Sequence, residues 1–337
     1  MSKSINFKYF IGIDVSKKTL DISVLNFDEV IYYQQITNDE RSINSFLTRL
    51  KRQHIELSEC LFCAEYTGIY NTPLQNVVTK KELNMWVEKA MQIKRSQGMQ
   101  RGKNDKIDSL RIAQYALKNR EELRLWHPLR KELMLLKKLV SSRKRLLSVK
   151  KQITQTFTEK DFLSKEELKV LKRSCKHTLS AISKDIKATE NQLLEIINGD
   201  SELHKLFNII KSVDGIGMYT AIEVIITTNE FKNISEAKKY ACYCGVVPFE
   251  YTSGTSLKKK ARVSRMANTS VKTLLHMAAL SVINMEGDLK QYYERKVKEG
   301  KNKMSVINAI RNKLVLRIFS CIRNERMYKK EYNYSLV

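Results

Sequence analysis

Phe7-Lys8-Tyr9-Phe10-Ile11-Gly12-Ile13-Asp14, then Ser16-Lys17-Lys18, then Thr19-Leu20-Asp21-Ile22-Ser23-Val24-Leu25 decide the fold of the N-terminal half. The first is a mostly apolar run ending on an acid. The second is a turn, and the third alternates with period two, so together they read as two strands and their connection. Val30 to Ile36 reads as a third strand, and helical spacing follows at Ile43, Phe46, Leu47 and Leu50. A short strand, Cys60 to Tyr66, carries Glu65 near its end. A helix begins near Thr72-Pro73, where proline suits a first turn, and a last strand lies around Met85-Trp86-Val87. Three strands, helix, strand, helix, strand, helix is an α/β order.

Beyond it the pattern changes. Lys94, Arg95, Arg101, Lys103 and Lys106 make a basic connector into a helix from Asp105 to Leu117. From about 129 to 198 the chain reads as all helix. Leu179, Ile182, Ile186, Thr189, Leu193 and Ile196 form a heptad seam, which fits a long helical hairpin and a coiled coil with a second protomer equally well. Its basic first arm, Lys131 to Lys151, is either a solvated face or a surface that tracks phosphates. Residues 201–337 read as a separate helical domain. The expected division is 1–125, 126–200 and 201–337.

Composition narrows the function. The 337 residues carry 61 Lys+Arg against 36 Asp+Glu, a net charge of +25. So large a surplus calls for a polyanion, with nucleic acid first and an anionic membrane surface as the competitor. No apolar run approaches the ~20 residues of a membrane span, and the N-terminus lacks a signal-peptide core. The six cysteines are sparse and unpatterned, which fits a reducing cytosol. Cys60-Leu61-Phe62-Cys63 reads as buried strand thiols rather than a zinc pair. The five histidines show no metal-ligand spacing.

The acids are more informative. Asp14 and Glu65 end strands, and Asp105 and Asp108 share one helix face. Any one of them alone reads as a surface carboxylate or a helix cap. In this strand–strand–helix order the four read as a cluster that repels itself unless a hard cation such as Mg²⁺ joins it. Two such ions ~4 Å apart stabilise the attacking and leaving oxygens of a phosphodiester exchange.

Ile11-Gly12-Ile13-Asp14-Val15-Ser16-Lys17, Ala64-Glu65-Tyr66-Thr67-Gly68 and Lys103-Asn104-Asp105-Lys106-Ile107-Asp108-Ser109 resemble the three DEDD motifs of the insertion-sequence-110 family of transposases. That family includes the 1111 group and the Piv-type DNA invertases. Its third motif usually reads Lys-Thr-Asp-Lys-Ile-Asp-Ala, so Asn104 and Ser109 depart while both acids stand. The resemblance implies an RNase H-like fold of the RuvC type, with Asp14, Glu65, Asp105 and Asp108 as catalytic Mg²⁺ ligands. A helical coiled-coil middle and a helical C-terminal transposase domain would follow.

Later strings match the same family. Asp214-Gly215-Ile216-Gly217 resembles a helix-hairpin-helix turn, with a plain interhelical turn as the alternative. Cys244 to Gly254 resembles the segment that holds the family's serine nucleophile. Ser253 is the choice, with Thr252 and Ser256 as rivals; on residues alone Ser253 would be a turn residue. Arg262-Val263-Ser264-Arg265-Met266-Ala267-Asn268 resembles a family string that normally has glycine at the Ala267 place. The resemblance further implies donor and target DNA as partners and guidance by a noncoding bridge RNA. It implies a homo-oligomer, dimer or tetramer, in which the acids of one protomer meet the serine of another. The setting would be a bacterial cytoplasm, with nucleoid association during activity. The rivals are a hydrolytic RuvC-like junction resolvase, which needs no serine, and a non-catalytic nucleic-acid-binding protein, which needs no acids.

Overall fold

The structure, a computed structural model, describes residues 7–96, 104–158, 162–253, 257–263 and 267–329, with backbone alone at 250–253 and 257–262. It forms two compact units, 1–128 and 129–337.

In the first unit, β1 (Tyr9–Val15), β2 (Thr19–Leu25) and β3 (Val30–Thr37) precede α1 (Glu40–Arg52), β4 (Cys60–Glu65), α2 (Thr72–Lys80), β5 (Met85–Glu88), α3 (Ala90–Arg95) and α4 (Asp105–Lys118). The five strands make one mixed sheet in the order β3-β2-β1-β4-β5. The β1–β2 and β2–β3 pairs are antiparallel, while β4 beside β1 and β5 beside β4 extend the sheet in parallel. This mixed α/β layout is consistent with the expected RNase H-like arrangement.

Strand parity sorts the core into two layers, because alternate side chains leave opposite faces. Ile11 and Ile13 of β1 pack with Phe46 and Leu50 of α1 and with Leu74 and Val77 of α2. Phe10 of β1, Leu61 and Cys63 of β4 and Trp86 of β5 pack on the other face with Ile112, Ala113 and Tyr115 of α4. Burial on both faces explains the near-continuous apolar runs of β1 and β4.

In the second unit, α5 (Lys131–Gln155), α6 (Lys165–Ser174), α7 (Lys176–Asn198), α8 (Ser201–Lys211), α9 (Met218–Thr228) and α10 (Ala237–Tyr243) lead to β6 (Pro248–Ser253) and β7 (Leu257–Val263). Helices α11 (Thr269–Ile283), α12 (Asp288–Lys298) and α13 (Lys303–Arg323) follow. The partner of the heptad seam is α5 of the same chain. Ile182, Ile186, Thr189, Leu193 and Ile197 are buried. Ile197 takes the place expected for Ile196, since a straight helix drifts ~20° per heptad away from a 3.5 repeat. Leu133 and Leu136 of α5 and Leu193 and Ile197 of α7 share one core with α8 to α13.

One further expectation changes, and two gain detail. The C-terminal region is not all helical: β6 and β7 form an antiparallel pair. Within the basic arm Arg143 and Lys144 are taken up by carboxylates of the same unit, as is Arg130 just before it. Arg130 pairs with Asp200 at 2.7 Å and with Glu230, Arg143 with Glu190 at 2.8 Å and Lys144 with Glu223 at 3.1 Å. In the turn between α8 and α9, Gly215 has φ +79°, and a Cβ there would lie 2.1 Å from Val282 Cγ2 and 2.7 Å from the Ala278 carbonyl oxygen. That glycine is required by the close packing of α11, while a Cβ at Gly217, the N-cap of α9, would meet nothing within 4 Å.

Candidate active site

Gly12 sets the geometry of the acids. It lies on the α4 face of β1, where a Cβ would fall 2.1 Å from the Ser109 carbonyl oxygen and 2.2 Å from the Ala113 nitrogen. Only glycine lets helix and strand approach so closely. Across the same contact Ser23 and Ser109 join their hydroxyls at 2.7 Å in the buried layer.

Parity then places the carboxylates. Asp14 is two residues beyond Gly12 and so shares its face. Asp21 is two residues before Ser23 and directly opposite Asp14 in the β1–β2 register. Glu65 follows Leu61 and Cys63 by the same step. It is registered with Glu88 of β5, which follows Trp86. All four therefore belong to the α4 side of the sheet. Asp105 and Asp108 occupy the first turn of α4, where the partial positive charge of a helix N-terminus favours anions. Asn104 caps that helix by accepting from the Ile107 N–H at 2.9 Å. Asparagine does this as well as the threonine usual at this place, so the departure is conservative in function.

The acids act on one another. The Asp14 carboxyl is pushed up from 3.8 to about 6, first by burial and then by the charges of Asp105, Asp108, Glu65 and Asp21. Arg111 offsets part of this field through a 2.8 Å ion pair with Asp108. Asp21 is 1% exposed. It accepts from the Tyr33 hydroxyl at 2.6 Å and from Gln35 Nε2 at 3.2 Å. That bond and burial push the Tyr33 hydroxyl to about 12, and Lys106 Nζ lies 4.9 Å from the centre of its ring. Glu88 meets the Tyr115 hydroxyl at 3.5 Å.

Among the described residues no three Asp, Glu, His or Cys side chains are drawn together as a ready-made metal ligand set. The donor chemistry nonetheless fits a hard divalent cation. It consists of carboxylate oxygens only, and the burial and mutual repulsion that raise the Asp14 carboxyl are what a bound cation would offset.

Asp21 and Glu88 were missed in the sequence, where attention fell on strand-end acids and on the helix pair. The missed signal was an acid at an inward position of an alternating strand: Asp21 stands between the buried Leu20 and Ile22, in phase with Ser23.

Ser253 is the last residue of β6 and pairs with Leu257, the first of β7; Thr252 pairs with Lys258. It therefore stands in the pair that closes the hairpin. Gly254, Ser256, Arg101, Lys103 and Arg265 lie outside the described residues.

Residues 11–160 match a family described as "Transposase" and residues 207–294 match the "Transposase IS116/IS110/IS902 family". The chain belongs to the insertion-sequence-110 family of transposases. This transposase is 24% identical over 329 residues to the pilin gene-inverting protein of Moraxella lacunata, covering 96% of its own length and 98% of that protein. It is 25% identical over 162 residues to the insertion element IS110 uncharacterized 43.6 kDa protein of Streptomyces coelicolor, covering 48% of its own length and 39% of that protein. The enzyme is thus a DNA transposase and recombinase by family. No helix among its described residues is long and apolar enough to cross a membrane.

Proposed function

We propose that the transposase exchanges DNA strands by metal-dependent phosphodiester transfer with Ser253 as the nucleophile. The observation that carries this reading is the gathering of acids about the half-buried Asp14, whose carboxyl is raised to about 6 first by burial and then by the charges of Asp105, Asp108, Glu65 and Asp21. Asp14, Glu65, Asp105 and Asp108 would hold Mg²⁺. When bound, the metal offsets the charge that builds on the phosphate oxygens.

The remaining steps fall to the chain. Arg111 orients Asp108 through their ion pair, and the Asp21–Tyr33 hydrogen bond fixes the strand behind Asp14. Ser253 Oγ attacks the phosphorus, a DNA hydroxyl leaves, and a phosphoserine ester results. The ester keeps the energy of the phosphodiester bond, so a DNA hydroxyl can attack it in turn and reseal the strand without ATP. Lys258, Lys259, Lys260 and Arg262 on β7 supply positive charge to that segment. Inversion of a DNA segment, which the Moraxella relative is named for, needs this same exchange. Donor and target DNA are the substrates. A bridge RNA as guide and a dimeric or tetrameric assembly complete the proposal, on the strength of the family resemblance.

The test traps the reaction on nicked suicide DNA and maps the attached residue by mass spectrometry. Attachment at Ser253, and its loss in Ser253→Ala with nucleic-acid binding preserved, is the expected outcome. Attachment at Ser256, Thr252 or Tyr251 would overturn the residue assignment. Complete cleavage with no adduct would replace transfer by hydrolysis and make the enzyme a junction resolvase.

A further inference from the structure

The segment after Glu65 exposes what a folded chain ordinarily covers. Ile69 is 76% exposed, Tyr66 50% and Tyr70 41%. Three large and mainly apolar side chains within five residues make a patch of the kind that marks an interaction site. Hydrogen bonds fix its shape. Asn71 lies fully buried beneath it, accepting from the Thr67 N–H and hydroxyl at 2.7 Å each and donating to the Glu65 carbonyl at 3.0 Å. A short 3₁₀ turn, Gly68–Asn71, sets the backbone between them. A patch presented in a fixed shape spares part of the ordering cost of binding.

Charge stands beside it. β1, β3 and β4 run in one direction, so the segments that follow them leave the same edge of the sheet, where Asp14 and Glu65 stand. Asn38, the residue after β3, joins these segments. Its Nδ2 donates to the Ser16 carbonyl at 2.8 Å and to the Tyr70 carbonyl at 2.9 Å, and its backbone N–H donates to the Lys18 carbonyl at 2.9 Å. Its Oδ1 is buried without a partner, so the side chain is held here by its two donors. The β1–β2 turn is thereby tied to the patch. That turn carries Lys17 and Lys18, both exposed and neither in an ion pair with a described residue. Uncommitted cations beside aromatic and aliphatic faces match the phosphates and bases of a single strand.

We propose that the Tyr66–Tyr70 segment and the Lys17-Lys18 turn form a docking surface for unpaired DNA, the stretch of strand that flanks the exchanged phosphate. Bases pack on the two tyrosine rings and on Ile69, and the lysines take the phosphates beside them. In a duplex the faces of the bases are turned to one another, so this surface selects DNA that has been opened. The proposal rests on the acid cluster as the place of exchange only for where the strand runs.

The test uses the full chain in chelator, so that binding alone is read, with single-stranded DNA carrying iodouracil. Light joins that base to an aromatic ring stacked against it, and mass spectrometry maps the residue. Attachment at Tyr66 or Tyr70, suppressed by unlabelled single-stranded DNA and far less by duplex, is the expected outcome. Ile69→Ala combined with Tyr70→Ala should weaken binding of the strand about tenfold without changing its salt slope. Lys17→Gln combined with Lys18→Gln should instead reduce that slope by about 1.4. Attachment confined to other residues, or an Ile69→Ala, Tyr70→Ala variant that binds as the wild type does, overturns the surface. Should that variant fail to fold, the attachment map of the wild type decides. Equal competition by duplex overturns the preference for opened DNA, and attachment to single-stranded RNA but not to DNA overturns the choice of ligand. A solution mass that falls in the variant while DNA binding stays would make the patch a contact between copies of this chain. A protein that exchanges no strands in Mg²⁺ yet shows the attachment refutes the proposed function and leaves this surface standing. Exchange without attachment does the reverse.

Discussion

Asp14→Asn should make the protein more stable at neutral pH while abolishing its activity. The sign follows from Asp14's titration. Its carboxyl is raised from 3.8 to about 6 in the folded state, so the native protein binds this proton more tightly than the unfolded chain does. The associated stability is fully present below the unfolded value near 3.8 and is lost as pH rises through about 6. At pH 7.5 the folded state therefore bears the whole penalty, and asparagine removes it. At ~1.36 kcal/mol per pH unit the rise amounts to ~3 kcal/mol as a ceiling. Solvent screening of a partly open site reduces this to ~1–2 kcal/mol, or roughly 2–6 °C in Tm for a chain of this size. Trp86 and Trp126 are the only tryptophans and both belong to the first unit, so their fluorescence follows the unit that contains Asp14. Melting is compared at pH 7.5 and pH 5 in chelator, then with Mg²⁺. The variant's advantage should fall by roughly half at pH 5, and Mg²⁺ should raise the wild type and not the variant. A variant less stable than wild type at pH 7.5 in chelator, or an advantage independent of pH, would refute the reasoning.

Other outcomes are expected. Gly12→Ala should destabilise the first unit by ~1–3 kcal/mol through overpacking against α4 and should abolish strand exchange, measured by tryptophan fluorescence and a strand-transfer assay. Ile186→Asp should lower the thermal stability of the second unit while leaving the solution mass unchanged, because the seam packs on α5 of the same chain; a fall in mass on sedimentation would restore the intermolecular reading. Nucleic-acid affinity should fall steeply with salt, and Arg143→Gln should hardly change the slope, since Arg143 already pairs with Glu190; a slope reduced by about one would return that residue to the phosphate contacts.

How much of this could be read in the sequence depended on the range of the interaction. The runs at 7–14 and 19–25 fixed β1 and β2 because alternation and apolar content are local properties. The acids at 14, 65, 105 and 108 stood out for the same reason. What parity did not reveal unaided was register. Asp21 became part of the site only once it was opposite Asp14, and Glu88 only once it was beside Glu65. The β6–β7 hairpin escaped notice because Lys259 breaks the alternation of Leu257, Ala261 and Val263, leaving a stretch that stands out for its charge.

The hydroxyl pair of Ser23 and Ser109 has an evolutionary consequence. Without Ser109 the Ser23 hydroxyl would be buried without its partner, while Ser109 keeps its bond to the Lys106 carbonyl at 2.8 Å; losing both hydroxyls together is close to neutral. The two positions, 86 residues apart in sequence, should therefore covary. Where a relative carries the alanine usual at the place of Ser109, the place of Ser23 should hold a small side chain without a hydroxyl. An alignment deep enough to detect such coupling would recover the contact of β2 with α4, and with it the placement of Asp105 and Asp108, from substitution patterns alone.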